Sequence, residues 1–326
     1  MPTGPAAKMG GDFRNGVTIA VEEWNANHGV LGMLIEPMLA HDQSDSKQAV
    51  SVANKLVNDR VVGVIGHFNS SCSIPASDVY NRASIPMISS GSTNPQLTDS
   101  GYRGVFRVCG TDDQQGKVGA EFALKKLNVK RVAILHDNTT YGQGFFRNNL
   151  GQGVEVVYSA GITRGNKDFK TVLTAVLEKK PELVFFGGLF SEAGLLIRQA
   201  KELNLTAPFL SVDGAIDPKM IEIAGAAAAE GTYLTFRPDL SNIPAAKEFI
   251  EKYKAKYGEL GPYSVYAYVA MNVLLDTVKA ANTSDGKTVA EKLHAMQFPT
   301  ALGPITFNEK GNVAESSLCC LGDQKR

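Results

Sequence analysis

The chain has 326 residues, with 33 basic and 33 acidic side chains and a formal net charge of zero. That balance gives no electrostatic reason to expect nucleic acid or an anionic membrane as a partner, and no apolar run approaches the roughly 20 residues that span a bilayer. The length suffices for two domains with good cores, and a hydrophobic content of 44% is ordinary for a soluble globular protein.

In chain order, Phe13, Val17, Ala20, Val21 and Trp24 form a helical stripe that stops near Gly29. Leu34–Ala40 then reads as a strand. Ala49, Val52, Ala53, Leu56 and Val57 give a second helical stripe, with Asp45 as its cap. Val61–Ile65 and Ile85–Ile88 are strands, and a helix beginning near Ser70 lies between them. A second round follows: helix from Asp112 to Leu127, strand Arg131–Leu135, a short helix after Tyr141, strand Val154–Tyr158, helix Phe169–Leu177, strand Leu183–Phe186, helix Ala193–Leu203, strand Phe209–Val212, helix Lys219–Ala224 and strand Gly231–Thr235. Such alternation predicts an α/β architecture with parallel sheets. Three helices then follow with little strand between them: Ala245–Tyr257, Ser264–Ala281 and Thr288–Met296.

The densest signal lies between Gly66 and Thr93. The segments Gly66-His-Phe-Asn-Ser-Ser-Cys-Ser-Ile-Pro-Ala-Ser-Asp78 and Ile85-Pro-Met-Ile-Ser-Ser-Gly-Ser-Thr-Asn-Pro95 each place Ser, Thr, Gly and Asn directly after a short apolar run. Buried parallel strands have this form when a polar ligand sits at their carboxyl ends. Hydroxyls and free amides there hold a carboxylate without a full positive charge. The segment carries hydrogen-bonding groups and no catalytic set, so it points to binding. No serine belongs to a recognisable nucleophile motif, no Gly-x-Gly-x-x-Gly follows the first strand, and Cys72, Cys109, Cys319 and Cys320 lack zinc-site spacing. No cofactor and no metal are expected. The histidines at 41, 67 and 136 read as structural, and Gly187-Gly188 reads as permitting close packing or access to a cleft.

Several phrases occur together: Asp45-Ser-Lys-Gln-Ala-Val-Ser-Val-Ala-Asn-Lys-Leu-Val-Asn-Asp59, the Gly66–Asp78 segment, Cys109-Gly-Thr-Asp-Asp-Gln-Gln-Gly116, His136-Asp137 with Tyr141-Gly142, Phe186-Gly-Gly-Leu-Phe-Ser-Glu-Ala-Gly-Leu-Leu-Ile-Arg-Gln-Ala200, and Gly303-Pro-Ile-Thr-Phe-Asn-Glu-Lys-Gly311. From about Thr3 to Gly311 the chain resembles the branched-chain amino-acid (Leu/Ile/Val) binding proteins of bacterial ABC importers. The resemblance implies a type I periplasmic-binding fold: two doubly wound parallel-sheet lobes with a ligand cleft between them. Lobe 1 would comprise residues 1–111 and 238–302, and lobe 2 residues 112–237 and 303–326, with crossings near Thr111, Arg237 and Leu302. It also implies capture of an aliphatic L-amino acid by lobe closure, delivery to permease subunits in the membrane, a monomer, and a periplasmic location.

By the same resemblance, Ser70 binds the ligand α-carboxylate, Thr93 contacts carboxylate and ammonium, and the Gly91 carbonyl accepts from the ammonium. Asp213 neutralises the ammonium, in a position that is usually Glu. Tyr141 and Tyr263 are aromatic residues of the second lobe and the cleft rim, and Phe68 lies near the ligand side chain. Met9 and Leu189 stand where relatives carry Tyr or Trp, and Tyr, in the side-chain pocket. The disulfide of the enteric members would fall at Ser44 and Asn69 and is therefore absent.

Members of the family begin with a strand leading into the Thr3-Gly4-Pro5 turn, in which this sequence starts. The expectation is that the first strand of lobe 1 is missing, with loss of ladder hydrogen bonds and core side chains from its two neighbours. The tail from Ala314 to Arg326 is short and atypical of the family. The opening Met-Pro-Thr-Gly-Pro-Ala-Ala carries no signal peptide. Taken alone, that favours a cytoplasmic or a processed protein. It leaves a second reading open, a cytoplasmic ligand-sensing regulator on the same fold. A third reading, an enzyme with a doubly wound fold, is opposed by the lack of a catalytic constellation.

Overall fold

The computed structural model describes residues 7–148, 154–314, 316 and 318–322. The chain groups into two units, Met1–Gly110 with Asp239–Ser316 and Thr111–Pro238 with Ser317–Arg326. The first unit opens with α1 (Ala7–Ala26), α2 (Ser46–Asn58), β1 (Val64–Ile65), α3 (Ser70–Arg82), β2 (Met87–Ser89), α4 (Gln96–Asp99) and β3 (Val105–Arg107). The second unit follows as α5 (Asp112–Lys125), β4 (Arg131–His136), α6 (Thr140–Asn148), β5 (Glu155–Gly161), α7 (Lys170–Glu178), β6 (Leu183–Gly187), α8 (Phe190–Glu202), β7 (Phe209–Ser211), α9 (Pro218–Ala224), α10 (Ala226–Ala229) and β8 (Tyr233–Phe236). The chain then returns to the first unit with α11 (Lys247–Tyr257), α12 (Ser264–Ala281), α13 (Gly286–Ala295), β9 (Gln297–Thr300) and β10 (Gly303–Thr306), and ends on β11 (Cys319–Leu321) in the second.

In the first unit β1, β2 and β3 run parallel in that order. Side chains alternate across the sheet. Val64 joins the layer formed with Ala53 and Leu56 of α2 and Cys72, Ala76 and Tyr80 of α3, whereas Ile65 packs with Ala20 and Val21 of α1 and Met271 and Leu275 of α12 on the other side. Helices therefore cover both faces, which is why β2 is wholly buried. α1 and α12 approach closely at Gly16, where a Cβ would fall 2.1 Å from the Ser264 carbonyl oxygen.

The second unit holds a six-stranded sheet in the order β11-β8-β7-β6-β4-β5, parallel except for β11. Ala133, Leu135, Val184 and Phe186 from its strands pack against Leu173 and Val176 of α7 and Leu196 and Ile197 of α8. A capping box starts α5: the Thr111 hydroxyl accepts from Gln114 N, and the Gln114 side chain accepts from Thr111 N.

Three sequence expectations are corrected. No crossing falls near Leu302: the first unit runs on past it to Ser316. Residues 303–314 stay with the first unit because β10 pairs antiparallel with β9, Arg107 N donates to Gly311 O, and Phe307 packs edge-on to Phe106. Leu34–Ala40 forms no ladder: only the isolated bridge Val30–Met33 precedes it. The short strand β3 and the β9–β10 hairpin were not anticipated; β9 and β10 each span a proline, which weakens the strand pattern. The Thr3-Gly4-Pro5 turn and the tail residues 323–326 lie outside the described residues. Among the described residues no cysteine forms a disulfide.

A polar network secures the loop between β1 and α3. His67 Nδ1 lies 2.7 Å from Asp42 Oδ2, and Nε2 lies 3.2 Å from the Tyr80 hydroxyl. Burial alone would raise the Asp42 carboxyl. The hydrogen bond and charge of His67, with the Ser44 amide, outweigh burial and hold it below its ordinary 3.8. A depressed carboxyl adds stability above its unfolded pKa and loses it as pH falls through the folded one. Asp42→Asn is expected to cost about 1–3 kcal/mol at neutral pH. In urea titrations the gap to wild type should hold constant down to about pH 5 and close below about pH 4.

Candidate functional site

In the first unit the polar groups gather at the carboxyl ends of β1 and β2. Ser70 is the first residue of α3, is buried, and its Oγ accepts from Asn94 N at 3.3 Å. The amides of Cys72 and Ser73 both donate to the Asn69 carbonyl, which leaves those of Ser70 and Ser71 at the positive end of the helix. The loop after β2 is wound on hydroxyls. Ser89 Oγ accepts from Ser92 N at 3.0 Å and donates to His67 O, while Ser92 Oγ donates to Phe68 O at 2.9 Å.

Arg107 then fixes this loop. Fully buried, it donates from Nη1 to Ser92 O at 2.8 Å and from Nη2 to Asn94 O and Thr98 Oγ1, both at 2.9 Å. The guanidinium thus grips the carbonyls on either side of Thr93. The hydroxyls of Thr93 and Ser90 are buried and have no protein partner among the described residues. A buried donor in that state costs roughly 1–3 kcal/mol until something accepts from it.

An aromatic wall stands beside this loop. Phe68 meets Tyr263 edge-on at 4.9 Å and Phe13 at 5.8 Å between ring centroids. Gly91 makes this possible: a Cβ there would lie 2.6 Å from Phe68 Cδ2 and 3.2 Å from Phe13 Cζ. Met9 is buried on α1, four residues before Phe13 and so on the same helical face. Of the expected residues in this unit, the structure brings Phe68, Gly91 and Tyr263 into one cluster, and puts Ser70 and Thr93 on adjoining loops joined through Asn94.

In the second unit Asp213 begins a short 3-10 turn directly after β7 and is buried. Its Oδ1 accepts from the Tyr141 hydroxyl at 2.6 Å, and that hydroxyl in turn accepts from Gly214 N at 2.8 Å. Gln115 Oε1 accepts from Asp213 N and from Thr235 Oγ1, which fixes the turn from below. Gly214 is crowded: a Cβ would lie 2.6 Å from the Tyr141 hydroxyl, 2.8 Å from Gly188 O and 3.1 Å from Leu189 Cδ2. Tyr141, Asp213 and Leu189 therefore converge. Gly188 is equally tight against the Phe186 ring, in line with the close packing expected of Gly187-Gly188. Nearby, Asp137 is held by Arg164 and Thr139.

Sequence reasoning did not single out Phe13, Ser90, Arg107 or Gln115. Phe13 was legible from its spacing to Met9. Arg107 stands out as a lone cation inside the apolar Val105–Cys109 run, and Gln115 lies within a phrase already noted. Ser90 differs from its neighbouring serines only in three dimensions.

The first set offers amides, hydroxyls and an apolar wall, which suit a carboxylate and a hydrocarbon chain. The second offers an oriented carboxylate, which suits a cation. Among the described residues no group of three or more His, Cys, Asp or Glu could hold a metal ion, and no helix is long and apolar enough to cross a membrane.

Comparison with known proteins identifies the family. The family model described as periplasmic binding protein matches residues 2–319. An amino acid binding protein of Pseudomonas aeruginosa is 40% identical over 320 residues, covering 96% of this chain and 86% of the relative. The Leu/Ile/Val-binding protein homolog 1 of Brucella suis is 40% identical over 95% of this chain and 85% of its own. Among solved structures, the leucine binding protein LivK of Thermotoga maritima superposes with a TM-score of 0.91 at 31% identity, covering 99% of this chain and 94% of that one. The substrate binding protein LivJ of Streptococcus pneumoniae, in complex with isoleucine, gives 0.90 at 26% identity over 98% and 93%. The chain belongs to the periplasmic binding protein family, with the α/β fold of its type I members.

Proposed function

We propose that this protein is the substrate-binding component of an ABC importer and captures a branched aliphatic L-amino acid. The observation that carries the reading is the Thr93 hydroxyl, buried without a protein partner in a loop locked by Arg107 and flanked by an aromatic wall. In this reading Ser70 and the first amides of α3 take the α-carboxylate together with Thr93. Gly91 offers its carbonyl to the ammonium, and Asp213, oriented by Tyr141, supplies the one full countercharge. Phe68 and Tyr263 enclose the hydrocarbon side chain; Met9 and Leu189 set its size. The protein acts by binding and not by catalysis, works as a monomer in the periplasm, and hands its ligand to a membrane permease. Relatives named for Leu, Ile and Val and a structural neighbour holding isoleucine support the ligand class.

The energetics fit. Both charges of a buried zwitterion must be paired or hydrogen-bonded. Each hydrogen bond to a charged group contributes about 1.5–3 kcal/mol net, and burying a leucine-sized side chain about 1.5–3 kcal/mol. Micromolar affinity needs about 8 kcal/mol, within reach after the costs of ordering.

Calorimetry against the twenty amino acids should give heat with leucine, isoleucine or valine. Asp213→Asn should weaken leucine binding by about 100-fold or more, since it leaves the ammonium without its partner; unchanged affinity would overturn the assignment. Thr93→Val, nearly isosteric, should cost about 10-fold, one charge-assisted hydrogen bond. Arg107→Met should lower stability by about 2–4 kcal/mol, because it strands two carbonyls and a hydroxyl. Below its melting temperature it should also weaken leucine binding, although Arg107 is given no contact with the ligand.

A further inference from the structure

A buried ion pair lies beyond the carboxyl ends of β4 and β5 in the second unit. Asp137 directly follows β4, and its side chain has no exposure at all. Arg164, on the loop after β5, donates to Asp137 Oδ2 from Nε at 3.0 Å and also from Nη2. Both guanidinium bonds fall on one oxygen, which leaves the other for a different partner. Asp137 Oδ1 accepts from Thr139 N at 3.1 Å and from Thr139 Oγ1 at 2.6 Å. Leaving a buried carboxylate without its cation is strongly unfavourable, so this division of the two oxygens is firmly held.

Thr139 passes this arrangement on to α6. It is the residue before the helix, and its hydroxyl, while donating to Asp137, accepts from Gly142 N at 3.2 Å, as an N-cap does. Its carbonyl accepts from Gln143 N at 2.9 Å. Gly142 lies hard against the pair: a Cβ there would collide with Asp137 Oδ1 and with the Gly187 carbonyl. The first turn of α6 is therefore tied to the direction of the Asp137 carboxylate. That turn carries Tyr141, whose hydroxyl donates to Asp213 Oδ1 at 2.6 Å and accepts from Gly214 N.

The loop that carries Arg164 has anchors of its own. Ile162 N donates to His136 O at 2.7 Å, Gly165 N to Glu192 Oε1 at 2.9 Å and Phe169 N to Gln199 Oε1 at 2.7 Å, and Gln199 Nε2 donates to Lys167 O. β4 and α8 thus hold the loop on both sides of Arg164. The main chain of Asp137 is fixed as well, by its N–H donating to Gly187 O at 3.0 Å. What the guanidinium adds is the direction of the carboxylate. We infer that Arg164 and Asp137 are a positioning pair for the amino-acid site: they set the first turn of α6 so that the Tyr141 hydroxyl holds Asp213 in place for the ligand ammonium. The inference rests on the role proposed above for Asp213.

A double-mutant cycle on the full chain tests it, read as leucine affinity by calorimetry alongside the thermal midpoint. Arg164→Met should weaken leucine binding about 10-fold, and Tyr141→Phe by a similar factor. With Tyr141→Phe already present, Arg164→Met should cost less than about 2-fold more, because the hydroxyl through which it acts is gone. Arg164→Lys keeps the charge and loses the planar fork, and should stay within about 3-fold of wild type. If Arg164→Met does not fold, Arg164→Lys carries the cycle, and Tyr141→Phe should abolish its smaller cost. Gln199→Met unties the same loop from α8 without touching Asp137. It should lower the thermal midpoint and leave leucine affinity within about 2-fold. Equal losses from Arg164→Met with and without the Tyr141 hydroxyl, an equal loss from Gln199→Met, or no loss from Tyr141→Phe would each overturn the inference. Asp213→Asn separates the two claims. If it leaves affinity unchanged, the site assignment fails and the inference with it; if it weakens binding while Arg164→Met does not, the positioning role alone fails.

Discussion

A guanidinium without contact with water must find acceptors, and the architecture of the first unit follows from how Arg107 finds them. It sits at the end of a buried strand. It is satisfied by the carbonyls of Ser92 and Asn94 and the hydroxyl of Thr98. Drawing both carbonyls toward one planar cation turns the peptide between them, and with it Thr93, in a set direction. The serines at 89 and 92 complete the winding by bonding back to the loop of His67 and Phe68. The cation is thus spent on the protein's own backbone, and what remains for a guest is neutral: amides, hydroxyls and the end of a helix. Such a surface attracts an anion without holding it as tightly as a bare arginine would.

The second unit reverses this arrangement. Its key group, Asp213, is buried; its carboxylate accepts from the Tyr141 hydroxyl and its amide donates to Gln115. One unit buries a cation to present neutral donors, and the other uses neutral groups to present an anion.

The alternation of strands and helices from α2 to β8 was legible because most of those strands lie between helices and the longer helices carry a clear stripe. The expectation of two lobes and of a polar site between Ser70 and Thr93 rested on the same patterns read with the family resemblance. Leu34–Ala40 failed as a strand because a strand is a relation between segments. The seven residues have the composition for it, yet among the described residues only the Asn25 side chain, and no neighbouring strand, bonds to their backbone. The end of the first unit was misjudged because β9 and β10 contain prolines and hide a hairpin that keeps residues 303–314 with β3. Arg107 stayed out of view for another reason. Two of its partners are main-chain carbonyls, which every residue possesses and no sequence displays.

Gly214 carries no chemistry of its own, yet it touches the hydroxyl that orients Asp213. In a library of single substitutions it would behave as intolerant as a charged ligand contact, because even alanine would have to push the tyrosine ring, the Gly188 carbonyl or Leu189 aside. Altered ligand preference in descendants of this sequence would then arise at positions such as 9, 68 or 189, where side chains differ in size without disturbing that crowded corner.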